Sequence, residues 1–140
     1  MRVVVDAQIL RRRIDALLRY LALLRPFAAV ERALFAADAP QHHLAERYLH
    51  LAAECAIDIA NHLISDAGFE APDTYRAAFE ILARHGVVSA DLAARLQRWA
   101  GFRNILVHAY LDVDHGLAHD AITRDLRDLE ELAAVAAERL

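Results

Sequence analysis

The sequence predicts an all-α fold, an antiparallel bundle of four or five helices. Apolar residues make up 57% of the chain, many of them alanine, which lets helices pack closely. Four Gly and three Pro are all that punctuate 140 residues, so long uninterrupted helices are expected and a sheet is not. The apolar positions recur at steps of three and four, the helical period.

The first helix is expected over residues 5–25, where Ile9, Ile14, Leu17, Leu18, Leu21 and Leu24 alternate with arginines and Asp15. Arg11, Arg12 and Arg13 are consecutive, so they fan around the helix and read as a solvated face, not one patch. Pro26 starts or kinks a short continuation over Phe27–Phe35, and Asp38-Ala39-Pro40 breaks it. Residues 41–66 form the strongest helix, with the stripe Leu44, Tyr48, Ala52, Cys55, Ile59 and Leu63 and with Gly68 placed for a left-handed C-cap. A third helix spans about 74–85, between Pro72 and Gly86. Ser89 is a suitable N-cap for a fourth, Ala90 to about Val107, with Asp91 in its first turn. Gly101 costs that helix about 1 kcal/mol relative to Ala, which suggests a close contact or a bend there. Residues 111–116 are a turn, and a last helix is expected from about Leu117 to Leu140. With no linker or internal repeat, residues 1–140 read as one domain.

Several function classes are disfavoured. No apolar run reaches the ~18 residues of a membrane span, and the first residues lack the layout of a secretory signal, so a cytoplasmic protein without membrane partners is expected. The single cysteine, Cys55, offers no intrachain disulfide and no metal spacing. A net charge of −4 argues against non-specific coating of nucleic acid, although residues 71–111 carry five Arg against three acids. All sixteen basic residues are arginine. His42, His43, Glu46, His50 and Glu54 have steps seen in helical zinc sites, but adjacent histidines point apart and a solvated face is expected. Asp112, Asp114, His115 and His119 lack the spacing of a calcium loop. No metal and no cofactor are expected.

Polar chemistry is concentrated in Gly101-Phe102-Arg103-Asn104-Ile105-Leu106-Val107-His108-Ala109-Tyr110. A cation, an amide, an imidazole and a phenol are set among apolar residues that half-bury the backbone. A fixed guanidinium beside a group that titrates near neutrality suits chemistry on a phosphate. On a regular helix His108 lies roughly 140° round from Arg103, so one straight helix cannot aim Arg103, His108 and Tyr110 at a single atom. Either the helix ends near His108, or a second copy completes the site in a symmetric dimer.

The pattern Arg103-Asn104-x-x-x-His108-x-Tyr110 resembles that of the HEPN superfamily of helical bundles, and within it the HepT-like toxins. Two further segments carry the resemblance: Ile57-Asp58-Ile59-Ala60-Asn61-His62 in the long helix and Pro72-x-x-Tyr75-Arg76-x-x-Phe79 in the third. Together they span about residues 30–112. The resemblance implies a homodimeric, metal-independent endoribonuclease, the toxin of a toxin–antitoxin pair acting on RNA. His108 would be the general base or acid for attack of a ribose 2′-OH on the adjacent phosphate. Arg103 would hold that phosphate and offset its growing charge, with Asn104 orienting one of these groups. The products would carry a 2′,3′-cyclic phosphate, and DNA would be spared. The resemblance also implies an antitoxin of the MntA-like nucleotidyltransferase type that attaches AMP to Tyr110. Asp58 and His62, four residues apart on one helix face, are candidate cleft residues or a surface ion pair. The alternative reading is a non-catalytic helical module that docks a nucleotidyltransferase and binds nucleotide.

Overall fold

A computed structural model describes residues 2–108 and 111–140, with side chains from residue 7 onward. The described residues are helical with no strand, as the sequence predicts: α1 (Arg2–Leu24), α2 (Arg32–Ala37), α3 (Ala39–Ala67), α4 (Tyr75–Arg84), α5 (Ala90–Val107), α6 (His115–Asp120) and α7 (Leu126–Ala137). A 3₁₀ turn over Arg25–Ala29 follows α1, with Pro26 where it can begin a turn but not continue a helix. A π-helical turn over Ala121–Asp125 joins α6 to α7. Among the described residues no helix is long and apolar enough to cross a membrane.

The ends of the helices follow local chemistry. Asp38 caps α3 by accepting from Gln41 N at 3.0 Å, so that helix starts at Ala39, two residues before the expected boundary. Thr74 caps α4 and Ser89 caps α5 in the same way, each at 3.0 Å. Gly68 and Gly86 both adopt φ 74°, the left-handed conformation expected of residues that close helices. Asp114 accepts from the N–H groups of Gly116 and Leu117 and starts α6 at His115, ahead of the expected Leu117.

The 29-residue α3 is the axis of the bundle, about 43 Å long at 1.5 Å per residue. It packs against α1, α2, α4, α5, α6 and α7. Leu10, Ile14, Leu17, Leu21 and Leu24 of α1 meet it along one side, and Leu129, Leu132, Ala133 and Ala136 of α7 complete that layer. The α4–α5 hairpin covers another side with Phe79, Leu82, Leu92 and Leu96. Contact on several sides gives α3 a wider buried surface than one stripe. Ala45, Leu49, Ala56, Ala60 and Ile64 are buried beside the expected Ala52, Ile59 and Leu63. The expected Leu44 is exposed, and Cys55 is half-buried.

The polar start of α3 departs from its expected solvated character. His42 and Glu46 are buried, because α2 and α6 close over this end. The His42 ring stacks on His115 at 3.5 Å between centroids, and His115 Nδ1 lies 2.5 Å from Glu46 Oε2. A buried carboxylate is costly unless it is bonded. His115 thus ties the segment after α5 to the interior of the bundle.

Candidate active site at the end of α5

Helix α5 runs unbroken to Val107 and then stops. His108 takes φ −104°, ψ 28°, and its N–H bonds to Ile105 O at 3.1 Å. Its carbonyl accepts from Leu111 N at 2.9 Å, turning the chain toward α6. Of the two arrangements the sequence left open, the helix does end between Arg103 and His108. The His108 side chain is exposed at that turn. Ala109 and Tyr110 lie outside the described residues.

Arg103, one turn before the end of α5, is held from three directions. Its Nε donates to Glu54 Oε1 of α3, Nη1 donates to Asn104 Oδ1 at 3.2 Å, and its guanidinium lies 5.0 Å from the centre of the Tyr75 ring of α4. Glu54 is in turn held by His50 one turn earlier, whose Nε2 is 3.3 Å from Glu54 Oε1. The His50 Nδ1 lies 3.3 Å from Arg47 Nη1, so these contacts assign the Nε2–H tautomer. Two edges of the guanidinium are occupied and Nη2 still points to no protein acceptor among the described residues. An arginine fixed this way presents N–H donors that match two phosphate oxygens.

Asn104 is exposed beside Arg103 and faces a cleft of about 590 Å³. Asn61 of α3, residues 72–74 of the α3–α4 connection, Tyr75 and Arg76 make up its other walls. Gly101, flagged as a point of close contact, has the Arg76 guanidinium over it: an added Cβ would lie 3.3 Å from Arg76 Nη1. Asp58 and His62 sit on the opposite flank of the same exposed strip of α3. Arg13 of α1 reaches across to the Asp58 carbonyl at 3.4 Å and to His62 Nδ1 at 3.3 Å. Partial burial raises the Asp58 carboxyl above its ordinary range, opposed by Arg13. Of the expected residues, then, Arg103 and Asn104 are brought into contact, and Asp58 and His62 share Arg13. His108 follows one turn beyond Arg103.

Four contributors were given no part in the site by the sequence: Glu54 and His50, expected on a solvated face, and Tyr75 and Asn61, named only within the segments that carry the resemblance. Helical geometry carries a partial signal, since Glu54, Asp58 and Asn61 fall within about 60° of one another on α3. Nothing in the local pattern pairs Glu54 with an arginine 49 residues later. Arg13 also differs from its neighbours, being half-buried on His62 while Arg11 and Arg12 are exposed, as a fan of three requires. Among the described residues no group of three or more His, Cys, Asp or Glu is arranged to hold a metal ion.

The profile of the family described as "Ribonuclease HepT-like" matches residues 17–136. The chain belongs to the HepT-like family. It is 29% identical over 119 residues to the tRNA nuclease HepT of Aphanizomenon flos-aquae, covering 85% of this chain and 81% of that protein. It is 30% identical over 82 residues to the mRNA nuclease HepT of Shewanella oneidensis, with 59% and 62% covered. Solved structures share the fold. A toxin–antitoxin crystal structure with AMP-PNP superposes with a TM-score of 0.86 at 23% identity, over 94% of this chain and 98% of that one. The tri-AMPylated HEPN toxin of Shewanella oneidensis, in complex with MNT antitoxin, gives 0.84 at 24%, over 93% and 97%. At these identities the likeness speaks for the fold, which is the HEPN-type helical bundle expected from the sequence.

Proposed function

We propose that this HepT-like chain is a metal-independent endoribonuclease toxin whose site is Arg103, Asn104 and His108. The observation that carries the reading is the state of Arg103: its guanidinium is fixed by Glu54 and Tyr75, yet it keeps donors for an anion at a helix end followed directly by an imidazole. In the reaction the 2′-oxygen of a ribose bonds to the adjacent phosphorus as the bond to the 5′-oxygen breaks. His108 takes the 2′-OH proton or supplies one to the leaving oxygen, the work of an imidazole at neutral pH. Arg103 binds the non-bridging oxygens, whose charge grows in the transition state. Asn104, accepting from Arg103, sets the orientation of the fork. Because the 2′-OH is the nucleophile, DNA is not cut.

The net negative charge of the chain is compatible with this reading because four acids of the last helices are engaged elsewhere. Glu130 pairs with Arg25, Asp120 with Arg32, and Asp128 and Glu131 with Arg95. Arg13, Arg47, Arg76 and Arg103 are spread along the exposed strip of α3 and its margins.

A symmetric dimer would bring two motifs into one groove, and the exposed apolar Ile105, Leu111 and Leu117 around the end of α5 supply contact surface for it. The nuclease names of the two relatives support the ribonuclease reading, and the toxin–antitoxin complexes among the structural neighbours support an antitoxin partner, here of the nucleotidyltransferase type. That partner would transfer AMP to Tyr110, placing an anionic nucleotide where the RNA phosphate would sit.

The test is RNA cleavage in EDTA by the wild type, Arg103→Ala and His108→Ala. Cleavage by the wild type alone, with 2′,3′-cyclic phosphate ends and no cutting of DNA, is the expected result. An inert wild type, or a variant that cuts as well as it, overturns the assignment. For the modification, incubation with ATP and the cognate nucleotidyltransferase should add mass in multiples of AMP, and Tyr110→Phe should abolish the gain.

A further inference from the structure

We propose that the cleft between α3, the start of α4 and α5 is a nucleobase subsite that takes an adenine from the nucleotide whose phosphate rests on Arg103, with Asn61 reading its edge. The inference rests on the ribonuclease reading of the neighbouring residues and adds a sequence preference to it.

The cleft measures about 590 Å³, within the range of sites for small ligands. Its lining suits an uncharged, planar, hydrogen-bonding group. Asn61 and Asn104 project from α3 and α5, and Tyr75 forms part of the wall. Arg76 and Asp73 line it with opposite charges, so the cleft has no excess cation to make it a second phosphate site. Asn61 is half-buried, and its carboxamide makes no hydrogen bond among the described residues. A half-buried amide left unpaired is poised for a partner. The carboxamide offers a donor and an acceptor side by side, which matches the paired acceptor and amino group on an adenine edge. Single-stranded RNA exposes such edges for reading.

Position ties this base to the phosphate. Tyr75 both lines the cleft and carries the Arg103 guanidinium 5.0 Å from its ring centre, while Asn104 lines the cleft and accepts from Arg103. Anion and base would therefore lie on two sides of the same tyrosine and asparagine, as the parts of one nucleotide do.

Wild type, Asn61→Ala and Asn61→Asp, each first shown to keep the wild-type melting temperature within a few degrees, are given an RNA oligonucleotide pool with randomised positions, and the cut ends are sequenced. The wild type should favour adenine at one nucleotide next to the cut. Asn61→Ala should still cut, with that preference reduced roughly tenfold or more. Asn61→Asp should shift the preference toward cytosine, whose amino group donates to a carboxylate. A structural role for Asn61 would change rate or stability without moving the preferred base. An unbiased wild type, or one preference shared by all three proteins, overturns the subsite. If the wild type cuts no RNA, the ribonuclease reading fails separately, and titration with AMP, GMP, CMP and UMP decides the cleft. Selective AMP binding weakened about tenfold by Asn61→Ala then assigns it to the adenine of a free nucleotide, and absent or equal AMP binding rejects it.

Discussion

Arg95 and Arg103 lie two turns apart on α5 and are nearly equally shielded, with 19% and 22% of their side-chain surface exposed. Their surroundings differ in kind. Arg95 is surrounded by Asp91, Asp128 and Glu131, with Asp128 also accepting from Trp99 Nε1 at 3.3 Å. Hydrogen bonds that it donates to these acids, Glu131 first, push its already high pKa further up. Arg103 has one carboxylate partner among the described residues, a neutral amide and an aromatic face. One guanidinium is saturated and pins α5 to α7. The other is oriented without being saturated, which leaves it able to bind an anion from outside. Shielding does not distinguish the two arginines; the number of acids around each does, and on the proposed function the less saturated one meets the phosphate.

The contrast can be broken in several places. The largest expected effect on chemistry is at His108: His108→Ala should lower RNA cleavage by about 10²–10⁴-fold. On the structural side, His115→Ala strips the buried Glu46 of its 2.5 Å partner and should destabilise the fold by roughly 3 kcal/mol in urea unfolding. Tyr75→Leu keeps an apolar seat but removes the ring under Arg103, a loss of about 0.5–1 kcal/mol. It should appear as a several-fold rise in KM for RNA with little change in stability. The smallest expected effect is at Asp120, whose carboxyl the hydrogen bond from Arg32 holds below its ordinary range. Its contribution is complete above pH ~4 and is lost as the pH falls through the folded-state value. Asp120→Asn should therefore lower the neutral plateau of a stability–pH curve slightly, flatten its acid side and converge on the wild type at low pH.

These regions were unequally legible from the sequence. Helix ends were readable because caps are local: Ser89, Gly68 and Gly86 act on groups within a few residues of themselves. The candidates Arg103, Asn104 and His108 were picked out by spacing and by likeness to the HEPN pattern, and the structure joins Arg103 to Asn104 by a hydrogen bond. What orients Arg103 was not, because Glu54 and Tyr75 reach it through packing between helices. The burial of His42 and Glu46 was missed for the same reason. A polar run at a helix start reads as solvated, and the elements that cover it, α2 and α6, come from before and far after it in the chain. The break in helical register at 121–125 also left no mark, since Ala121 and Ile122 within it are buried as they would be in an ordinary helix.

The most direct test compares Arg95→Ala with Arg103→Ala in two assays, RNA cleavage and urea unfolding. Arg95→Ala should cost roughly 3 kcal/mol of stability by leaving Asp128 buried without its cation, while the folded fraction cuts RNA at close to the wild-type rate. Arg103→Ala should lower cleavage by about 10²–10³-fold and shift unfolding far less. If both variants lose stability and activity in proportion, or if Arg103→Ala still cuts RNA, the division of labour along α5 is wrong.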